Sequence, residues 1–339
     1  MSLINAWAAT KAGGLCQPYT FDPGPLGPHQ VEIAVEHCGI CHSDLSMLDN
    51  HWGISQYPLV PGHEVVGTIQ AVGDQVEGLT LGQRVGIGWM ARSCMHCHSC
   101  ISGEHHLCSQ GQGTIVGRHG GFADRLRCHW AWALPLPAAL DGPAVGPLLC
   151  GGITVFAPLL IHGILPTARV GVVGIGGLGH LAVKFLRAWG CEVTAFTSSE
   201  SKREEARRLG AHRVVSSTDG RALRAIAGSL DLILVTVNVP LDWKAIQGTL
   251  GSKGRIHMVG AVLEPIPINA MSFITGQQEL SGSPIGSPGA IATMLDFAAR
   301  HQILPQVETF PMSQVNEALE HLRAGKARYR IVLEADFAG

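Results

Sequence analysis

Residues 169–190 read RVGVVGIGGLGHLAVKFLRAWG, an apolar run that stops at a glycine turn and is followed at once by a helix-length segment. The turn itself is Gly174-Ile175-Gly176-Gly177-Leu178-Gly179. A GxGxxG pattern between a strand and a helix is typical of a dinucleotide-binding turn. Gly174 permits the tight turn, Gly176 lets the backbone approach a pyrophosphate, and Gly179 lets the helix pack on the strand. The stretch therefore predicts a βαβ unit that binds a dinucleotide.

The segments after this turn extend the same pattern. EVTAF, DLILVTV and RIHMVG are apolar runs of strand length, and ESKREEARRLG and LDWKAIQGTL have the length of crossover helices. Ser201 and Glu204 fit a capping box, so we expect a helix to begin there. This middle part of the chain predicts a doubly wound parallel sheet.

The flanking parts predict a second, mostly-β domain. VEIAVE alternates apolar Val31, Ile33 and Val35 with more polar positions, as in a half-buried strand. Near the end, GAIATMLDFAARH and SQVNEALEHLRAG predict two helices, and YRIVLE predicts a strand that returns to the first domain. A chain of 339 residues is also long for one core, so we expect two domains.

Composition limits the partners. The formal net charge is -2, so no basic field would attract nucleic acid or an anionic membrane, and we expect a small-molecule substrate. The first residues, MSLINAWAATKAGG, lack the pattern of a secretory signal, and glycines, His180 and Lys184 interrupt the most apolar stretch. We therefore expect a cytoplasmic protein without a membrane span, in which clustered cysteines bind metal rather than form disulfides.

The end of the second strand decides which dinucleotide binds. An NAD site places Asp or Glu there against the ribose 2′-hydroxyl, whereas this chain reads AFTSSESKRE. The hydroxyls of Thr197, Ser198 and Ser199 and the charge of Lys202, with Arg203 beside it, suit a 2′-phosphate. The segment favours NADP over NAD, although Glu200 would fit the opposite choice.

A cluster of four cysteines predicts a structural zinc site. The four are spaced C-x2-C-x2-C-x7-C and are Cys94, Cys97, Cys100 and Cys108. Four thiolates leave zinc no open coordination position, which suits a structural role. An iron–sulfur site would have a shorter last gap followed by proline. The neighbouring His96, His98, His105 and His106 are then not ligands.

A second set of possible ligands is scattered along the chain and comprises Cys38, Cys41, His63, Glu64 and Cys150. Each alone is more often a packed or hydrogen-bonded core residue. Beside a dinucleotide fold, however, two cysteines and one histidine can form an open zinc site with room for water or an alcohol oxygen.

The segment GHEVVGTIQAVGDQV at 62–76, with His63, Glu64, Gly67 and Gly73 in step, resembles the zinc signature of the medium-chain alcohol dehydrogenases. The resemblance covers nearly the whole chain. It implies a GroES-like, mostly-β catalytic domain at 1–151 and 287–339 that holds both zinc sites, and a Rossmann dinucleotide-binding domain at 152–286. CHSDL, WGISQYPLVPGHE, LLCGGITVFAPL and GVVGIGGLGHLAVK resemble in particular the cinnamyl alcohol dehydrogenase and NADPH aldehyde reductase branch.

The resemblance also implies individual roles. Cys41, His63 and Cys150 would bind the catalytic zinc, and Cys38 would only pack. Glu64 would lie behind the metal, and Asp44 would hold the ring of His63. Ser43 would begin a proton relay, His42 would face the cofactor pyrophosphate, and Trp52 and Trp89 would line the substrate pocket.

One position departs from the family. Five residues after Cys41 the family often has a histidine that passes the proton to solvent, but Ser46 stands there. Either water continues the relay or His51 reaches in, and both alternatives stay open. GTIVGRHG, before GGFADRL, is also short, so the pocket width is open too.

We therefore expect an oxidoreductase with two zinc ions per chain that transfers hydride between NADP(H) and primary alcohols or aldehydes, with aromatic or extended apolar substrates. The family implies a homodimer or homotetramer, paired through a strand near ELSGSPIG. The alternatives are an NAD-dependent zinc polyol or formaldehyde dehydrogenase, a zinc-free quinone reductase, and a dinucleotide-binding scaffold or redox sensor without catalysis.

Overall fold

The computed structural model of the chain describes residues 3–337, which divide into two compact units. The first unit comprises the chain through Ile153 together with the chain from Ile285 on, and the second is Thr154–Pro284. The first unit is mostly β-structure and the second is a parallel sheet with helices, so the expected fold class is confirmed.

The strands, numbered in chain order, are β1 (Ile4–Ala8), β2 (Gln17–Phe21), β3 (Gln30–Ile40), β4 (Glu64–Val72), β5 (Arg84–Ile87), β6 (Met90–Arg92), β7 (Gln112–Gly113), β8 (Arg125–His129), β9 (Leu134–Pro135), β10 (Arg169–Val173), β11 (Glu192–Thr197), β12 (Arg213–Ser216), β13 (Leu230–Val235), β14 (Leu250–Met258), β15 (Glu279–Gly282), β16 (Val307–Pro311) and β17 (Arg330–Glu334). The α-helices are α1 (His42–Leu48), α2 (His98–Ile101), α3 (Gly151–Ile161), α4 (Gly179–Trp189), α5 (Arg203–Arg208), α6 (Gly220–Arg224), α7 (Trp243–Gln247), α8 (Ala270–Gly276), α9 (Pro288–His301) and α10 (Val315–Arg323).

The first unit is built around a seven-stranded sheet in the order β16-β17-β3-β4-β5-β9, with β8 paired to β3. The long strand β3 pairs antiparallel with β4, and it pairs with β8 through its first half and with β17 through its second. The predicted return of YRIVLE to the first domain is therefore confirmed. Gly39 pairs with Glu64 across β3 and β4. Cys41, just after the end of β3, and His63, just before the start of β4, therefore lie beside each other at one end of the sheet.

The second unit contains one six-stranded parallel sheet in the order β12-β11-β10-β13-β14-β15. In chain order this is 3-2-1-4-5-6, the strand order of the doubly wound dinucleotide fold, and the order reverses between β10 and β13. The four expected strands form its middle. The four-residue strand Arg213–Ser216 at one edge was not predicted, because its apolar run is too short to stand out.

The helix after β11 begins differently from the sequence-based expectation. A 3-10 turn at Glu200–Lys202 comes first, and α5 begins at Arg203 without a side-chain cap. The hydroxyl of Ser201 instead lies 2.8 Å from that of Ser199. The predicted capping box of Ser201 and Glu204 is therefore wrong, because a local hydroxyl pair takes the group that would have capped the helix.

Within residues 3–337, no helix by itself has the length and apolar character needed to cross a membrane. The helical segments Pro143–Leu149 and Gly151–Ile161 reach that length and apolar character only when they are taken together, and the chain bends by 44° between them.

Candidate metal and cofactor sites

Three of the scattered residues, Cys41, His63 and Cys150, meet at one buried point of the first unit. Ligand atoms of Cys41, His63, Glu64 and Cys150 all lie within 4.8 Å of one another. The Nε2 atom of His63 is 3.3 Å from the Sγ atom of Cys150, which is 3.9 Å from that of Cys41. Two sulfurs and one imidazole nitrogen at this spacing fit an open zinc site, and the chemistry of the donors suits that metal.

Asp44 positions two of these groups at once. Its Oδ2 atom accepts a hydrogen bond from the backbone N–H of Cys41 at 2.9 Å, and its Oδ1 atom accepts one from the N–H of Gly62 at 2.9 Å. The same Oδ1 atom lies 3.0 Å from Nδ1 of His63. Because Nδ1 then carries the ring proton toward the carboxylate, the Nε2 lone pair of His63 is directed at the sulfurs.

The electrostatic surroundings favour a thiolate at this point. A hydrogen bond from the Cys150 thiol, helped by the charge of Arg330, lowers the pKa of Cys41 well below its usual value. Arg330 is itself buried and forms an ion pair with Oε1 of Glu64. The Oε2 atom of Glu64 has no hydrogen-bond partner among the described residues, and one carboxylate oxygen of this residue lies within 4.8 Å of the sulfurs.

Cys38 lies outside this group. Its side chain is fully buried, and its Sγ atom lies 3.7 Å from the carbonyl oxygen of Gly39. Burial raises the pKa of Cys38 well above its usual value, which keeps the sulfur a neutral thiol.

Ser43, the expected start of the proton relay, lies on α1 together with His42 and Ser46. The Oγ atom of Ser43 is 3.7 Å from Sγ of Cys41, the side chain of Ser46 is buried, and His42 is exposed. His51 follows the helix, donates its backbone N–H to the carbonyl of Ser46 at 2.9 Å, and has an exposed side chain.

Two tryptophans continue outward from the cluster. The ring of Trp89 meets that of His63 edge-to-face with centroids 5.0 Å apart, and it meets Trp52 in the same manner at 5.8 Å. Both indoles are half-buried. They therefore form a continuous aromatic surface that begins at a candidate zinc ligand.

The four clustered cysteines form a second group, with Sγ atoms within 4.8 Å of one another. Cys94 lies 3.9 Å from Cys100, and Cys97 lies 3.8 Å from Cys108, between sulfur atoms. The backbone N–H of His96 lowers the pKa of Cys94 to about 6. Four converging sulfurs with a stabilised thiolate fit a closed zinc site. The neighbouring His105 ring instead lies 3.3 Å from the hydroxyl of Ser93.

The glycine turn of the second unit lies at the point where the strand order reverses. Gly174 has a φ of +92°, a backbone conformation that residues with a side chain rarely adopt. A Cβ atom on Gly179 would lie 1.8 Å from the carbonyl oxygen of Gly174. Within the described chain, a Cβ on Gly176 would meet no atom within 4 Å. The turn is therefore tight where the helix packs and open where a pyrophosphate would approach; Ile175, Gly177 and Leu178 complete it.

Two neighbouring basic residues after β11, Lys202 and Arg203, make different contacts. The Nζ atom of Lys202 donates to the carbonyl of Ile175 at 3.1 Å, so it lies beside the glycine turn. Arg203 instead donates to the carbonyl of Val214 and pairs with the exposed Glu200 at 3.3 Å. The hydroxyls of Thr197, Ser198 and Ser199 lie at the strand end, with Ser198 exposed.

Sequence reasoning missed Arg330. It is 5% exposed and faces Glu64 from β17. A charged residue inside the apolar run YRIVLE was a usable signal, because a buried arginine almost always has an acidic partner.

Comparison with known proteins agrees with this geometry. Residues 27–138 match the alcohol dehydrogenase GroES-like domain, and residues 177–300 match the zinc-binding dehydrogenase family. The chain is 55% identical to aldehyde reductase AdhA of Synechocystis sp. over 98% of both chains. It is 38% identical to cinnamyl alcohol dehydrogenase 7 of Arabidopsis thaliana, covering 96% of this chain and 94% of that protein.

Solved structures give the same assignment. A cinnamyl alcohol dehydrogenase of Sorghum bicolor matches with a TM-score of 0.95 and 37% identity over 100% of both chains. The enzyme of the same name from Helicobacter pylori, complexed with NADP(H), matches with a TM-score of 0.90 and 29% identity over 98% of both chains. This chain thus belongs to the zinc-dependent medium-chain alcohol dehydrogenases, the family of oxidoreductases that its sequence resembles.

Proposed function

We propose that the protein is a zinc-dependent, NADP(H)-linked aldehyde reductase and alcohol dehydrogenase. The observation that carries the proposal is the buried group of Cys41, His63 and Cys150, with Asp44 fixing the imidazole. Three ligands leave an open position for a substrate oxygen. The similarity to AdhA and to the cinnamyl alcohol dehydrogenases supports the same activity.

The chain's own residues then have distinct tasks. A zinc ion in this site supplies Lewis-acid polarisation of the carbonyl, and NADPH supplies the hydride. Ser43, whose Oγ atom lies 3.7 Å from Sγ of Cys41, would give a proton to the oxygen that becomes the alcohol. Buried Arg330 offsets the negative charge of Glu64 and the thiolates. Hydride on carbon and a proton on oxygen convert the aldehyde to the primary alcohol.

The substrate proposal rests on Trp52 and Trp89. Their edge-to-face contact extends a flat apolar surface from His63, which suits aromatic or extended apolar aldehydes. A steady-state screen of benzaldehyde, cinnamaldehyde and short polyols, with NADPH and NADH and with or without a strong chelator, tests the activity. Equal turnover in fully metal-depleted protein would contradict it.

The cofactor proposal predicts a specific effect of Lys202. A charge-assisted bond to a 2′-phosphate contributes about 1.5–3 kcal/mol, so Lys202→Ala should lower kcat/KM for NADPH roughly 10- to 100-fold. The value for NADH should change little, because NADH has no such phosphate. Steady-state kinetics with varied cofactor measure both.

Arg203→Ala is the matched control, since Arg203 is adjacent and equally charged but is bound to Val214 and Glu200. We expect less than about a threefold change in that variant. Equal losses with both cofactors in Lys202→Ala, or a comparable NADPH loss in Arg203→Ala, would contradict the assignment.

The proposed assembly is a homodimer joined at β15, or a homotetramer made of two such dimers. This strand is an edge of the parallel sheet, and Leu280 on it and Met271 and Ile274 on nearby α8 are exposed. An exposed apolar edge favours pairing with a second copy.

Cytoplasmic localisation stays a prediction that cell fractionation can check.

Leu280→Lys should weaken this association at least roughly a hundredfold, because like charges would face each other across the pair. Light scattering coupled to size exclusion measures the mass. Leu81→Lys, at a 63% exposed position of the first unit, is the control and should leave the mass unchanged. A monomeric parent protein, or an unchanged Leu280→Lys assembly, would refute the proposed interface.

A further inference from the structure

A buried histidine in the second unit has no part in the sites described above. His257 on β14 is 0% exposed, and each of its ring nitrogens has a partner. Its Nε2 atom lies 2.9 Å from the hydroxyl of Ser283, and its Nδ1 atom lies 2.9 Å from that of Ser281. The same Nδ1 atom lies 3.0 Å from Nε2 of His162, and the two imidazoles meet edge-to-face.

Both serines belong to the edge of the sheet. Ser281 is on β15, directly opposite His257 in the parallel register, and Ser283 follows the last residue of that strand. The strand is only four residues long, and within the described chain only β14 pairs with it in the sheet. Besides the backbone pairing and an ion pair between Arg255 and Glu279, the bonds of one imidazole therefore attach β15 to its neighbour.

The surroundings of His257 favour a neutral imidazole over a charged one, because the ring is fully buried. A neutral ring offers one donor and one acceptor, and the serine hydroxyls can pair with both because a hydroxyl donates as well as accepts. The charged groups that face the pair are Arg255 on β14 and Glu279 on β15, and these are ion-paired with each other. A second proton on His257 would thus be buried beside His162 and a guanidinium.

We propose that His257 and His162 form an acid-sensitive pin that holds β15 on the sheet at neutral pH and releases it as the pH falls. Unlike apolar packing, this attachment of β15 depends on the protonation state of one imidazole ring. The proposal does not depend on the catalytic activity. Where β15 also joins two copies of the chain, acid would loosen that assembly, a consequence that rests on the proposed dimer.

The direction of the effect follows from linkage. Burial, together with His162 and Arg255, lowers the pKa of His257 from 6.5 to about 4 in the closed strand. The state with β15 attached to the sheet is therefore fully stabilised by the neutral ring above pH 6.5. This stabilisation is lost as the pH falls toward 4, because His257 takes up a proton readily only when β15 is detached.

Hydrogen–deuterium exchange of the full-length protein tests the pin. After correction for intrinsic exchange rates, opening of peptides that contain 279–283 should rise roughly ten- to thirtyfold between pH 7.5 and pH 5.0. Peptides from the central strand β10 should show no such rise. An unchanged opening of β15 in the parent protein overturns the proposal.

Variants separate the pin from a general acid effect. His257→Gln, which can bond to the serines but cannot titrate, should abolish the pH dependence. If that variant fails to fold, His162→Gln should still reduce the acid effect several-fold, because the neighbouring imidazole no longer opposes a proton on His257. His301→Gln, at an exposed position on α9, should keep the full effect. A parental pH dependence in the folded His257→Gln variant, or in His162→Gln, overturns the proposal.

Discussion

Cys41→Ala should lower kcat/KM for aldehyde reduction by roughly a thousandfold or more. Metal polarisation of a carbonyl contributes several kcal/mol, and each 1.4 kcal/mol corresponds to about a tenfold change in rate. Cys41 supplies a sulfur that lies 3.9 Å from that of Cys150 in the buried group. Zinc content measured by mass spectrometry should fall from about two ions per chain to about one.

Cys38→Ala is the matched control for this experiment. It removes the same atom from a buried cysteine on the adjoining strand, but Cys38 lies outside the converging ligand group. We expect two zinc ions and a rate within about threefold of the parent protein. Retained activity in Cys41→Ala, or an equal loss in Cys38→Ala, would show that the reacting metal is held elsewhere.

Cys97→Ala should remove the other zinc ion and lower the thermal unfolding midpoint by roughly 10 °C or more. Structural zinc contributes up to about 10–16 kcal/mol in small domains, and a loss of 1 kcal/mol shifts the midpoint of a domain of this size by about 2–4 °C. The segment around it has little other support, since helix α2 is only four residues long and buries only Cys100. Calorimetry and metal analysis measure the two effects.

His98→Ala distinguishes this zinc site from one that uses the neighbouring histidines. His98 lies between Cys97 and Cys100 in the chain, and its side chain is exposed. We expect this variant to keep both zinc ions and an unfolding midpoint within about 2 °C of the parent protein. Loss of zinc in His98→Ala, or full zinc content in Cys97→Ala, would contradict a four-cysteine site.

Local patterns carried most of the fold prediction. The strands of the parallel sheet are apolar runs, and the turn at Gly174 lies between a strand and a helix that can be identified without any distant contact. The edge strand Arg213–Ser216 and the start of α5 were not predicted correctly. Both depend on weak local preferences that neighbouring strands and hydroxyl groups override.

The proposed open zinc site could not be predicted from local sequence patterns alone. Its proposed ligands were named through a family resemblance, because nothing in the local sequence distinguishes Cys41 from Cys38. In the fold, the pairing of β3 with β4 places Cys41 beside His63. Lys202 and Arg203 were likewise equivalent in the sequence, and only their contacts with Ile175 and Val214 separate them.

By itself, the sequence determined the dinucleotide turn, the alternation of strands and helices, and the four-cysteine cluster, since each lies within one short segment. Tertiary structure alone decided that Asp44 also accepts hydrogen bonds from the backbone N–H groups of Cys41 and Gly62. It alone decided that Arg330 faces Glu64 and that His257 lies against Ser281 and Ser283. The physical reason is the range of the interactions. Spacing along a chain fixes contacts within a loop or one turn of helix, whereas contacts between distant segments depend on strand register and on which side chains are buried together.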